Sequence, residues 1–85
     1  MRMPKEHVEM LEGAFAKLNA LDPLSERRSR YEAEGLSPKR FHWDCYWDAR
    51  ALGHVPQNWV CEVVYPLGMN DSHVDTALRK ALSRY

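Results

Sequence analysis

His42 and Cys45 stand three residues apart, a spacing that turns both side chains toward one point beside a helix, and His54 and Cys61 follow closely enough to complete four donors. Histidine nitrogen and cysteine sulfur in that number are zinc chemistry. The spacing is loose, however, because the chain has no Cys-x-x-Cys and no His-x-x-x-His pair. A buried cysteine also serves commonly as a small apolar group. The expectation is a protein with no metal and no cofactor. Cys45 and Cys61 allow at most one disulfide, which a reducing compartment disfavours. A nucleophilic cysteine would need a base and an oxyanion site in a cleft, and a small helical core has little room for one, so no enzymatic activity is expected.

Arg27, Arg28, Arg30, Lys39 and Arg40 flank a turn at Gly35. Two short helices around such a turn admit a helix-turn-helix reading in which the segment from Pro38 to Leu52 enters a major groove and these cations grip phosphates. A base-reading surface is built from Arg, Lys, Asn and Gln. This segment offers Asp44, Asp48, Phe41, Trp43 and Trp47 instead. A nucleic-acid-binding regulator therefore stands as the alternative function, behind arginines paired with Glu26, Glu32 and Glu34 on a solvated face. Arg40, Asp44 and Asp48 follow at steps of four and can form a ladder along one helix edge, worth tenths of a kcal/mol if exposed.

The aromatic residues are the strongest functional signal. Three Trp, four Tyr and two Phe are generous for so small a core, and Trp, Tyr and Arg dominate the energetics of protein interfaces. Phe41, Trp43 and Trp59 are assigned to the core. Trp47, Tyr46 and Tyr65, with Arg27 and Arg28, are the candidate protein-contact residues.

These side chains need elements to position them. Residues 4–21 place Val8, Leu11, Ala14, Phe15, Leu18 and Leu21 on one half of a helical wheel, with Pro4 suited to a first turn. Gly13 costs that helix about 1 kcal/mol relative to alanine, or admits a close backbone approach. A second helix is expected from Asp22-Pro23, with the aspartate as cap, to about Glu34, where Gly35 supplies a left-handed stop. Ser37-Pro38 opens a third helix, ended by Gly53. Its stripe of Phe41, Cys45, Ala49 and Leu52, flanked by His42 and Tyr46, marks it as the central helix. Pro56 to Tyr65 has the composition of a strand, but no second run exists for it to pair with, so a short helix with Trp59, Val60, Val63 and Val64 inward is expected. Asp71-Ser72 is the expected cap of a last helix, Ser72 to Ser83, with Val74, Ala77, Leu78, Ala81 and Leu82 on its apolar face. The expected architecture is all-α, a compact bundle of about five short helices in a single domain, 1–85.

Composition agrees with a folded chain, 45% apolar and 28% charged. Twelve basic side chains balance twelve acidic ones, so no global attraction to nucleic acid or anionic lipid follows. The opening residues carry Arg2, Lys5, Glu6, His7 and Glu9 with no apolar run. Neither a signal peptide nor a membrane span is expected, and the expected location is the cytoplasm.

Gly35-Leu36-Ser37, Arg40-Phe41-His42-Trp43-Asp44 and the stretch Asn70-Asp71-Ser72-His73-Val74-Asp75-Thr76-Ala77-Leu78-Arg79 carry a resemblance. Over roughly Leu24 to Leu82 the chain resembles short helical proteins encoded by phages and prophages. No catalytic or binding residue comes with that resemblance. It implies a setting in which compact proteins act by docking on a host protein, including inhibitors of bacterial defence systems. The expected function is a small non-enzymatic protein-binding protein, an inhibitor or adaptor acting on a host or phage protein, with a homodimer as an open option.

Overall fold

The computed structural model describes residues 2–85. Four α-helices run Lys5–Leu21 (α1), Leu24–Ala33 (α2), Pro38–Ala51 (α3) and Asp71–Leu82 (α4). Between α3 and α4 the chain forms a π-helical segment, Val60–Val64, that tightens into a 3₁₀ turn, Tyr65–Leu67. Among the described residues there is no strand, and no helix is long and apolar enough to cross a membrane. The molecule measures 37 × 23 × 19 Å along its principal axes.

Packing follows the apolar periodicities. α1 and α4 lie along each other, and α3 packs against α1, α2 and α4, so the aromatic helix is central. Leu11, Ala14, Phe15 and Leu18 of α1, Phe41, Cys45, Tyr46 and Ala49 of α3, and the full predicted face of α4 form one core with Leu24, Val55, Trp59, Val64 and Met69. A chain this short hides about 60–65% of its extended surface. Two residues assigned inward by periodicity are not: Leu21 and Leu52 are exposed. Leu21 ends α1 and Leu52 caps α3, where the helix continues the wheel but no neighbour follows it.

The helix ends show which groups satisfy the orphan amides and carbonyls. Gly35 at φ 72° and Gly53 at φ 81° close α2 and α3. In each case the following amide reaches back across the turn, Leu36 N–H to Tyr31 O and His54 N–H to Ala49 O, as a left-handed stop requires. The start of α2 differs from expectation. Asn19 Oδ1, not Asp22, accepts the Leu24 amide at 2.8 Å, and Asp22 pairs with Arg30 instead. α4 likewise begins one residue early. Asn70 accepts from the Ser72 and His73 amides, and the His73 ring accepts from the Asn70 amide in return.

The segment before α4 is helical, but in the wider π form, with the Tyr65 amide donating to Val60 O. Trp59 and Val64 are both buried although they stand five apart. An α-helix would send them to different faces at 100° per residue, whereas bonding five residues apart brings both to the core.

Gly13 sits exposed in α1, and nothing lies within 4 Å of a Cβ built there. No backbone uses the space, so only its entropic cost remains. Gly13→Ala is expected to stabilise the fold by about 1 kcal/mol, raising the melting temperature by roughly 4–8 °C in a thermal scan.

Candidate functional site

α3 divides its rings between two environments. Phe41 and Tyr46 are sealed into the core, while Trp47 keeps half of its surface exposed. Trp43 lies between these limits and meets Trp47 at a tilt of 35°, centroids 6.2 Å apart. Tyr46 stands edge-on to both tryptophans. The π segment runs back beside this row, and the space between encloses about 230 Å³. Trp43, Tyr46 and Trp47 line it from α3, with Val60, Cys61 and Tyr65 opposite.

Polar groups fix the two ends of this groove. The Arg50 guanidinium lies 5.5 Å from the centre of the Trp47 ring, and its Nε donates to Gln57 O at 2.7 Å. At the other end the Tyr65 hydroxyl donates to Asp71 Oδ1 at 2.8 Å. That bond raises the Tyr65 phenol above its ordinary pKa, because the carboxylate disfavours a second anion beside it. The groove is therefore walled by rings, closed at its ends by a cation and an anion, and open to solvent along half-exposed Trp47 and Tyr65.

The structure brings together three of the five candidate contact residues. Trp47 lies on the α3 wall of the groove and Tyr65 on the wall opposite, and Tyr46 belongs to its floor. Tyr46 is 1% exposed, which corrects its assignment as a contact residue; α1, α2 and α4 all pack on α3 and Trp59 covers Tyr46 as well, so the buried arc extends past the Phe41–Cys45 stripe to include it. Arg27 and Arg28 lie elsewhere and act within the fold. Arg27 donates to Asp48 at 2.7 Å and to the Tyr31 hydroxyl at 3.4 Å. Burial works against its charged form, but those two bonds outweigh it and hold its pKa above the ordinary arginine value. Arg28 crosses to the end of α4, where its Nη2 donates to Leu82 O at 2.8 Å and its Nε to the Tyr85 main-chain oxygen at 3.1 Å. Arg50 takes the place these two were expected to fill. Its signal is in the sequence, three residues after Trp47 and so on the same side of a helix.

The other chemistry-bearing residues are dispersed. Asp44 accepts from the Tyr31 hydroxyl at 2.6 Å and pairs with Arg40 at 3.5 Å. Asp48 is taken by Arg27, so the Arg40–Asp44–Asp48 ladder has only its first rung. Four of the five cations suited to phosphates, Arg27, Arg28, Arg30 and Arg40, are thereby engaged within the chain. His42 is buried with Nδ1 3.3 Å from Asp75 Oδ1, joining α3 to α4. Among the described residues no three His, Cys, Asp or Glu side chains converge as metal ligands. A second depression of about 350 Å³ lies between the start of α1 and α4, lined by Arg2, Met3, Val8, His73, Thr76, Ala77 and Lys80.

The two cysteines are free and differ in environment. Cys45 is sealed in the core, and desolvation pushes its thiol up to about 12. Cys61 is exposed on the groove wall. A thiol-reactive dye is expected to label Cys61 alone in the native protein and Cys45 only after denaturation, read as one and then two equivalents. The folded state favours the protonated Cys45 thiol. Its contribution to stability is complete below the ordinary value of 9.0 and is lost as pH rises from there toward about 12, so urea midpoints should fall on the alkaline side of that limit.

Compared with known proteins, the chain matches no protein-family model, no curated protein and no solved structure.

Proposed function

We propose that the protein is a small non-enzymatic binding protein that docks on another protein through the groove between α3 and the π segment. The observation that carries this reading is the half-exposure of Trp47 and Tyr65 on opposite sides of one groove. Leaving rings in water forgoes roughly 25 cal/mol for each Å² that burial would remove. Tryptophan and tyrosine are also the residue types that anchor interfaces. At about 230 Å³ the space is smaller than the roughly 300–1,000 Å³ of small-molecule sites, and it suits the insertion of one large side chain from a partner surface. The phage-type resemblance supports a host protein as that partner, with inhibition or adaptor action as the outcome, including action on a defence system.

Immobilised protein incubated with bacterial extract tests this. A host protein identified by mass spectrometry is expected to be retained by the wild type and lost on Trp47→Ala or Tyr65→Ala, while Leu21→Ser, at an exposed apolar residue outside the groove, retains it. Capture that survives both ring truncations refutes the groove as the docking face. Retention of DNA that falls steeply with salt, with a slope of about 0.9 per neutralised phosphate, supports the regulator alternative instead.

A further inference from the structure

The groove carries opposite charges at its two ends. α3 runs from Trp43 to Arg50 and the chain returns from Gln57 along the π segment, so Arg50 with Gln57 marks one end and Tyr65 with Asp71 the other. Arg27, Arg30, Arg40 and Arg84 each pair with a carboxylate. Among the described residues neither Arg50 nor Asp71 has an ionic partner. The Arg50 guanidinium has the Trp47 ring and Gln57 O, and Asp71 has the Tyr65 hydroxyl. A surface with a cation at one end, an anion at the other and apolar rings between them is complementary to itself. A two-fold axis crossing the groove sets each end against its opposite.

We propose that a second copy of this chain covers the groove. In this symmetric dimer Trp47 and Tyr65 of the two copies pack together, and Arg50 of each copy meets Asp71 of the other. The proposal rests on the groove's role as a docking face but not on the existence of a different partner. Its consequence is regulatory: a dimer closed this way withholds the groove, so self-association and capture of another protein compete. Two half-exposed rings and their rims form a small interface, below about 1,200 Å² in total, where association is reversible.

Sedimentation equilibrium over about 1 µM to 1 mM spans the affinities such an interface reaches. The wild type is expected to pass from monomer to dimer across that range. Arg50→Glu leaves both ends acidic and Asp71→Arg leaves both ends basic, so each variant alone should dimerise at least about tenfold more weakly. Mixing the two variants, or combining both changes in one chain, is expected to restore association. Melting curves check that each variant is folded; where Asp71→Arg disturbs the start of α4, Asp71→Asn keeps an acceptor for the Tyr65 hydroxyl and should still weaken the dimer. A wild type that stays monomeric throughout overturns the proposal, as does a mixture that associates no better than either variant alone. A monomeric wild type that loses a captured host protein on Trp47→Ala sinks the dimer while leaving the docking role intact.

Discussion

Tyr46→Ala is expected to destabilise the fold by about 3–5 kcal/mol, whereas Trp47→Ala, one residue along the same helix and only half buried, should cost about 1–2 kcal/mol. Tyr46 is sealed among Trp43, Trp47 and Trp59. Its removal leaves a cavity that the surrounding helices cannot fill without shifting. The Trp47 ring has solvent on one side and the Arg50 guanidinium near it, so its truncation uncovers an edge of Tyr46 to water but leaves no enclosed cavity. At roughly 0.05–0.15 kcal/mol per residue, a chain of this length has only about 4–13 kcal/mol in total. The Tyr46 variant should therefore be marginally folded at room temperature. Urea unfolding followed by circular dichroism reads the difference as a large fall in midpoint for one variant and a small one for the other. The opposite order of effects would mean that α3 presents a different face to the core.

Arg28→Ala is expected to cost about 2–3 kcal/mol. α2 buries only Leu24, too little apolar surface to dock it by burial alone. Arg28 supplies the rest by joining three elements. It donates to two main-chain oxygens at the end of α4, and its guanidinium stacks 4.6 Å from the centre of the Phe41 ring. Hydrogen bonds from a charged donor contribute about 1.5–3 kcal/mol, the ring contact about 0.5–1, and a cation suits the negative end of a helix dipole. Truncation also leaves those oxygens without their donor. Arg28→Lys should recover little, because an ammonium has neither the fork to reach both oxygens nor the plane to stack. Thermal unfolding of the two variants measures the loss. A lysine variant as stable as the wild type would reduce the interaction to simple charge attraction.

Local signals make much of this fold legible in the sequence. The glycines at 35 and 53 stop α2 and α3, the proline at 38 opens α3, and the α4 face is buried residue for residue. Each of these depends on neighbours within a turn or two. The structure departs from these local signals where the deciding partner is distant or where two local candidates compete. Asn19 caps α2 from inside the preceding helix, and Asn70 outcompetes Asp71 and Ser72 because its side chain accepts from two amides at once. The Arg28 contacts span 54 and 57 residues, beyond any pattern of spacing. Arg27 finds Asp48 across the α2–α3 turn, and so the two arginines assigned to a docking surface serve the fold. Tyr46 flanks the apolar stripe, and its burial does not follow from the wheel because the width of a buried arc depends on how many helices cover it. The π segment could be recognised as helical only by the lack of a strand partner; its wider turn follows from the packing of Trp59 and Val64.

The groove itself was half legible. Trp47 and Tyr65 stand out by residue type, but only the return of the chain beside α3 brings them to the two walls of one groove, and only the π segment puts Cys61 on the wall with Tyr65. That last placement gives a direct means of testing the groove as the working face. Because Cys61 is exposed and Cys45 is not, a bulky maleimide can be attached at Cys61 of the otherwise unaltered protein. The measurement is the retention of the captured host protein, and the self-association of the chain, before and after this single labelling. Both should be lost while the melting curve stays in place; undiminished capture and association by fully labelled protein would contradict a working groove between α3 and the π segment.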